Sequence, residues 1–376
     1  MLEFLTYLLN GLTVGCIYAL IAVGYTMVYG IIKLINFAHG EFYMFGGFVG
    51  YFVLVLMFHG QEIGGRELGI PALLLAALVA GLATGVLAVI VEWLVYRPLR
   101  NAGRIVVLLA ALGVSLFLQN AGQQTVGAKP RNFPNTLTRQ RYPRFELEPS
   151  EVQAGVVAKR DISVIYAIPK EGGQVTLFEN VATRGNPISE EAIQRMNGVL
   201  KHAGETGLPA HIYEYPAITV TNHDGVILIS LGVISALLFV LVQHTRFGRA
   251  MRAVSHDFDA AALMGVDVNR VIAGTFFIGA FVAGIGGALG GGMYYSKIWP
   301  LMGLNLGLKA FVAAVIGGIG SIPGALVGAL ALGISEALVM AYVSSLYAEA
   351  FTFGILILVL LARPSGLMGK PSSDKL

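Results

Sequence analysis

Residues 71–96 read PALLLAALVAGLATGVLAVIVEWLVY, an apolar run in which the only charged side chain is Glu92. A helix rises about 1.5 Å per residue, so about 20 such residues cross a hydrocarbon core of roughly 30 Å. The stretch is long enough to span a bilayer, and it has no polar stripe of the kind a helix on a soluble protein turns to water.

The same pattern recurs on both sides of it. Further spans are expected near 8–32, 42–58, 105–122, 226–244, 270–292, 306–318, 323–342 and 347–363. The segment 306–318 is too short to cross alone. With the GGIGSIPG stretch from Gly317 to Gly324 it reads as a broken or re-entrant element, which membranes tolerate only where protein or water satisfies the backbone. Glu3 and the absence of Lys or Arg from the first residues do not fit a signal-peptide n-region, so the first span reads as a retained helix.

Composition agrees. Of 376 residues, 56% are hydrophobic and 12% charged, where a soluble domain carries roughly 25% charged residues. That excludes an ordinary cytosolic enzyme and a disordered chain. A net charge of +3 gives no reason to expect nucleic acid as a partner. The single cysteine, Cys16, can form no internal disulfide. The charge is also uneven: residues 123–225 hold 22 of the 47 charged side chains. The expected organisation is a first transmembrane half (1–122), a soluble extracytoplasmic insert (123–225) and a second transmembrane half (226–376) with a cytoplasmic loop at 245–270. The fold class is an all-α polytopic membrane protein of about 8–10 transmembrane helices, with broken segments and a small α+β insert.

Orientation follows the Lys/Arg bias of short loops. One set holds Lys33, Arg97, Arg100, Arg104, Arg246, Arg249, Arg252, Arg270, Arg363, Lys370 and Lys375; the other holds Arg66, Lys297 and Lys309. The richer set belongs in the cytoplasm, which places the N-terminus and the insert outside and the C-terminus inside. Gly46/Gly50, Gly81/Gly85, Gly286/Gly290 and Gly324/Gly328 are spaced for close helix packing.

Three groups of polar residues stand out. Asn36, His39 and Glu41 lie at a span border, where they either line a translocation route or brace its cytoplasmic mouth, or else form an interfacial turn with Asn36 as an N-cap. A metal site there is disfavoured because no second His or Cys lies at ligand spacing. Glu336, within an apolar span, is a pathway candidate, and Ser115, Gln119 and Asn120 either share that interior or bond between helices. Glu92, near Arg97, reads as a structural ion pair or a snorkelling group.

The third group is the loop 245–270. A short amphipathic helix is expected from Ala250 to Met264, with Met251, Val254, Phe258, Ala261 and Ala262 on one face. Ser255 ahead of Asp257 and Asp259 resembles a helix start, and Gly265 a helix stop. Such a helix suits docking into a groove on another protein; the alternative, a helix lying on the membrane surface, is disfavoured by its modest apolar face and mixed charge. No Walker motif is present, so any ATP hydrolysis belongs to another chain.

In the insert, strands are expected at Val152–Ile168, Gln174–Phe178 and His211–Thr221 and a helix at Ser189–His202, with His202, His211 and His223 as scattered surface residues.

Taken together, Asn36-Phe37-Ala38-His39-Gly40 after the run Tyr25-Thr26-Met27-Val28-Tyr29-Gly30, Arg97-Pro98-Leu99-Arg100, Arg246-Phe247-Gly248-Arg249-Ala250-Met251-Arg252-Ala253, and Lys309-Ala310-Phe311 through Gly324 resemble a permease subunit of the branched-chain amino acid family of ABC importers. The resemblance covers about 5–125 and 226–370, and the long insert departs from it. It implies a coupling loop of pattern Glu-Ala-Ala-x-x-x-Gly that docks on an ATPase. Here Asp259-Ala260-Ala261 and Gly265 take that place, with Arg249, Arg252, Ser255, His256 and Asp257 beside them. It further implies a bacterial inner-membrane location, no cofactor, a second permease subunit (identical or different), two ATPase subunits and an extracytoplasmic substrate-binding protein. A urea or short-chain amide permease of the same family, and a proton-coupled secondary transporter using Glu336 and His39, are the alternatives.

Overall fold

Each apolar segment expected as a span forms a helix in the computed structural model, which describes residues 2–33, 36–57, 69–100, 102–134, 141–142, 145–147, 162–168, 175–182, 194, 201, 211–216 and 220–369. In chain order the helices are α1 (Leu2–Ile32), α2 (His39–Met57), α3 (Gly69–Val91), α4 (Arg104–Val126), α5 (Asn222–His244), α6 (Arg246–His256), α7 (Phe258–Leu263), α8 (Val268–Leu289), α9 (Met302–Gly317), α10 (Ile322–Tyr342) and α11 (Ala348–Ala362). Among the described residues, eight helical stretches are long and apolar enough to cross a membrane, and α9 is a shorter apolar helix. The short seventh span is therefore observed as expected. It ends in an elbow where Gly318 and Gly320 take φ of +106° and +98°, a region that favours glycine.

Because α1 is apolar on every face, it can be wrapped rather than exposed. It packs most extensively on α10, then on α8 and α9, while α3 packs on α8 and α2. Close approach depends on missing side chains. A Cβ on Gly46 would sit 2.3 Å from Gly284 Cα, and one on Gly328 would sit 2.2 Å from the Ala313 carbonyl oxygen. Helices α4, α5 and α11 pack lightly and keep apolar faces outward, among them Ile105, Leu109, Leu116, Ile229, Leu237 and Leu361.

Two spans end in π turns, Glu92–Tyr96 after α3 and Gly290–Tyr294 after α8. Such turns re-aim the side chains that follow them.

Within the insert, Phe145–Leu147, Ile162–Ile168, Val175–Ala182 and His211–Pro216 form one antiparallel sheet, with the first and second strands in sequence flanking the last and the third pairing on the outer edge of the second. The strands expected around 174–178 and after 211 fall inside it. Residues 152–161, and Ser189–His202 apart from 194 and 201, lie outside the described residues. Short antiparallel pairs tie the insert's two ends down: Arg131–Asn132 to Lys297–Ile298, and Arg141–Tyr142 to Val220–Thr221. His223 is buried rather than on the surface, its Nδ1 lying 2.9 Å from the Met293 carbonyl, because α5 starts four residues earlier than expected and carries it into the bundle.

Candidate functional site

The backbone at Asn36 explains how polar groups enter the apolar body. Asn36 Oδ1 accepts from Ala38 N at 3.1 Å, and the Asn36 carbonyl accepts from His39 N at 3.0 Å, so the residue caps the start of α2. Tyr96, swung inward by its π turn, donates to the same Oδ1 at 2.6 Å. Glu92 at the other end of that turn is fully buried and meets Arg97 Nη2 and Arg100 Nη2 at 2.9 Å each. Arg100 also donates to Asn269 at 2.8 Å, tying α3 to α8.

The position of this cluster corrects one expectation. It is not confined to a mouth of the bundle. His39 abuts Gly24, eight residues and about 12 Å before the end of α1, and Gly279, about 16 Å into α8. Glu41 Oε1 accepts from Ser115 Oγ at 3.1 Å and Gln119 Nε2 at 2.8 Å, and Ser115 is about 16 Å into α4. The chain between α1 and α2 turns back into the body before it resumes helix. Five expected residues, Asn36, His39, Glu41, Ser115 and Gln119, are thus buried together near mid-depth. Asn120, by contrast, bonds back to the Leu116 carbonyl on its own helix.

Several of these groups have spare capacity. Among the described residues, Glu41 Oε2, His39 Nε2, Asn36 Nδ2, Thr26 Oγ1 and Tyr43 OH are buried and find no hydrogen-bond partner. Glu41 Oε2 lies against α9, where a Cβ on Gly303 would be 2.7 Å from it.

Glu336 sits elsewhere, on the other side of α9. It is 1% exposed, accepts from Tyr18 OH at 2.8 Å through Oε2, and is bonded through Oε1 to Lys309 Nζ. Lys309 is therefore no loop charge: it stands inside α9, and its vote in the orientation count falls away. Tyr18, Tyr96, Arg100 and Lys309 carry this chemistry and are not among the expected site residues. The only sequence signal for them was a polar or charged group in an apolar run, whose partners lie on distant segments.

The 245–270 loop forms two helices, not one. Asp257 is extended, with φ −156° and ψ 121°, and its Oδ1 accepts from Asp259 N at 2.9 Å and Ala260 N at 3.0 Å. A carboxylate that caps two amides outcompetes continuation of the helix. Ser255 starts nothing; its hydroxyl donates back to the Arg252 carbonyl at 2.8 Å. Gly265, at φ +82°, closes α7 with Val266 N to Ala261 O at 3.0 Å and Gly265 N to Ala262 O at 2.9 Å, a Schellman stop as expected.

The expected docking face also points the other way. Met251, Val254 and Ala261 are buried against the chain's own body. Exposed instead are Arg249, His256, Asp257, Asp259, Ala260 and Gly265, with Leu263 and Met264 at 88% and 85% exposure. Arg252, half-buried, reaches the Val242 carbonyl. Beside this knuckle a cleft of about 530 Å³ opens between Lys33, Arg252, Ser255, His256, the Gly320 elbow and Met368.

Comparison with known proteins fits this architecture. The model of the family described as branched-chain amino acid transport system / permease component matches residues 7–360. The chain is 37% identical over 375 residues to the high-affinity branched-chain amino acid transport system permease protein LivH of Escherichia coli K12, covering 100% of this chain and 98% of that protein. It is 35% identical over 374 residues to BraD of Pseudomonas aeruginosa, covering 99% and 98%. It is 24% identical over 359 residues to a probable LivH of Methanocaldococcus jannaschii, covering 93% and 88%. No solved structure matches it. With its apolar helices, short ninth helix and end-to-end match, the chain belongs to the permease-component family of branched-chain amino acid transport systems.

Proposed function

We propose that the chain is the membrane-spanning permease of an ABC importer that carries branched-chain or related amino acids across the bacterial inner membrane, energised by a separate ATPase. The carrying observation is the similarity to LivH over essentially both chains. The assembly comprises a second permease subunit, two ATPase subunits and a soluble binding protein on the far side. The N-terminus and the 123–225 insert face outside, and the C-terminus faces the cytoplasm.

In this reading the exposed Asp259–Gly265 knuckle meets the ATPase. Two apolar side chains standing in water at its tip, Leu263 and Met264, supply the anchor that a partner groove would bury. The cluster of Asn36, His39, Glu41, Ser115 and Gln119, and the carboxylate of Glu336, flank the route of the solute. Polar groups this deep in a membrane protein are costly unless they meet water, protein or cargo.

Reconstitution tests the reading. Leucine uptake into proteoliposomes should require the second permease subunit, the ATPase, the binding protein and ATP together. Uptake by the chain alone under a proton gradient would establish a secondary transporter instead, and competition by urea but not leucine would move the cargo to amides.

A further inference from the structure

We propose that Lys309, Glu336 and Tyr18 form a charge-exchange site for the zwitterionic head group of the amino acid in transit. This rests on the importer reading and adds to it a chemistry and two residues, Lys309 and Tyr18.

The two charges of the pair are not equally buried. Lys309 keeps 16% side-chain exposure while Glu336 keeps 1%. Glu336 has one partner on each oxygen, Lys309 on Oε1 and Tyr18 OH on Oε2. Lys309 Nζ has three protons; among the described residues it gives one to Glu336 and lies 6.0 Å from the centre of the Tyr18 ring. The ammonium thus has donor capacity left on its accessible side.

Beside the exposed apolar Leu301 and Leu304, that side of the helix carries a second polar group. Asn305, exposed, is four residues before Lys309 and shares its face of α9. α9 begins at depth, since Gly303 packs on Gly40, whose neighbour Glu41 is bonded to the middle of α4. An exposed amide and an ammonium at that depth are costly against lipid, so the face is one that meets water, solute or the second permease subunit rather than lipid.

The solute class follows from charge bookkeeping. Opening the Lys309–Glu336 pair for a neutral or singly charged solute strands at least one charge in a poorly solvated interior. An α-amino acid zwitterion strands none: its carboxylate takes Lys309, its ammonium takes Glu336, and Tyr18 keeps its bond to the carboxylate. When the solute leaves, the internal pair re-forms. Binding is an exchange of ion pairs, so it is weak enough to release cargo. Urea, with no formal charges, gains nothing from the exchange.

The test uses the assembled importer in proteoliposomes. Lys309→Met and the neutral pair Lys309→Met/Glu336→Gln should still co-purify with the ATPase and lose leucine uptake at least tenfold. A neutral pair that transports at the wild-type rate would overturn the proposal and leave a structural ion pair. Should the neutral pair not assemble, Asn305→Cys, which keeps Lys309, Glu336 and Tyr18 in place, decides. Cys16, the chain's one native cysteine, is buried and gives little background. Saturating leucine, but not urea, should slow labelling of Asn305→Cys by a small cationic thiol reagent at least threefold; equal rates would refute exchange. Wild-type assemblies that take up no leucine with ATP would sink the importer reading itself and this site with it, and that outcome is distinct from failure of the variants alone.

Discussion

Asn36 is held from two directions, by its own turn and by Tyr96 sixty residues away. Tyr96→Phe removes one of two bonds to a buried amide oxygen, which should cost about 1 kcal/mol and lower the melting temperature in detergent by about 2 °C. Glu92→Gln should do more damage. It leaves Arg97 and Arg100 without their shared carboxylate, but both are part-exposed, so the loss stays near about 2 kcal/mol rather than the larger penalty of a sealed pair. A larger drop for Tyr96→Phe than for Glu92→Gln would mean the hydroxyl, not the ion pair, is the main brace. At this scale the sequence was half legible. Glu41, Ser115, Gln119 and Glu336 stood out as polar groups in apolar surroundings. Lys309 did not, because a lysine near a span border reads as a loop charge until the helix around it is seen. Its partner Glu336 lies 27 residues on.

Helices α6 and α7 show what periodicity can and cannot deliver. Apolar spacing across 250–264 picked out Met251, Val254 and Ala261 as one face, and those residues do share a fate, which is burial. Spacing alone cannot say which body a face is buried against, and here it is the chain's own. Nor does it register a cap in mid-pattern, where Asp257 divides the stretch. Asp257→Ala should weaken α7 by about 1 kcal/mol, and Gly265→Val should strain its stop, since a β-branched residue resists φ of +82°. Both should reduce ATPase retained on affinity-purified permease at least threefold without lowering the amount of permease in the membrane. Full retention by both variants would place the ATPase contact elsewhere. The apolar spans, by contrast, were readable to within a few residues, because the hydrophobic thickness of a bilayer sets a length that composition alone can meet.

For the whole molecule, composition and the count of long apolar runs identify the class, and the structure adds how depth is used. Nothing in the sequence places Asn36–Glu41 near mid-depth; that follows from α2 starting beside Gly24 and Gly279, a tertiary fact. The orientation proposal is testable at this scale. Protease added to intact spheroplasts should cut within 123–225 and leave 245–265 whole, and added to inside-out vesicles it should do the reverse. Cleavage at 245–265 in spheroplasts would invert the topology and remove the docking role from α7.

The end of α9 has a consequence for how the protein is made. The Ile316 and Gly317 carbonyls accept from Leu367 N and Met368 N at 2.9 Å each, and Gly366 packs against Gly318. These acceptors are completed by residues that leave the ribosome some fifty positions later, after α10 and α11. The elbow between α9 and α10 is therefore finished only when the turn at 363–369 folds back on it. A nascent chain stalled after α11 would carry α1 to α11 and still lack a closed elbow.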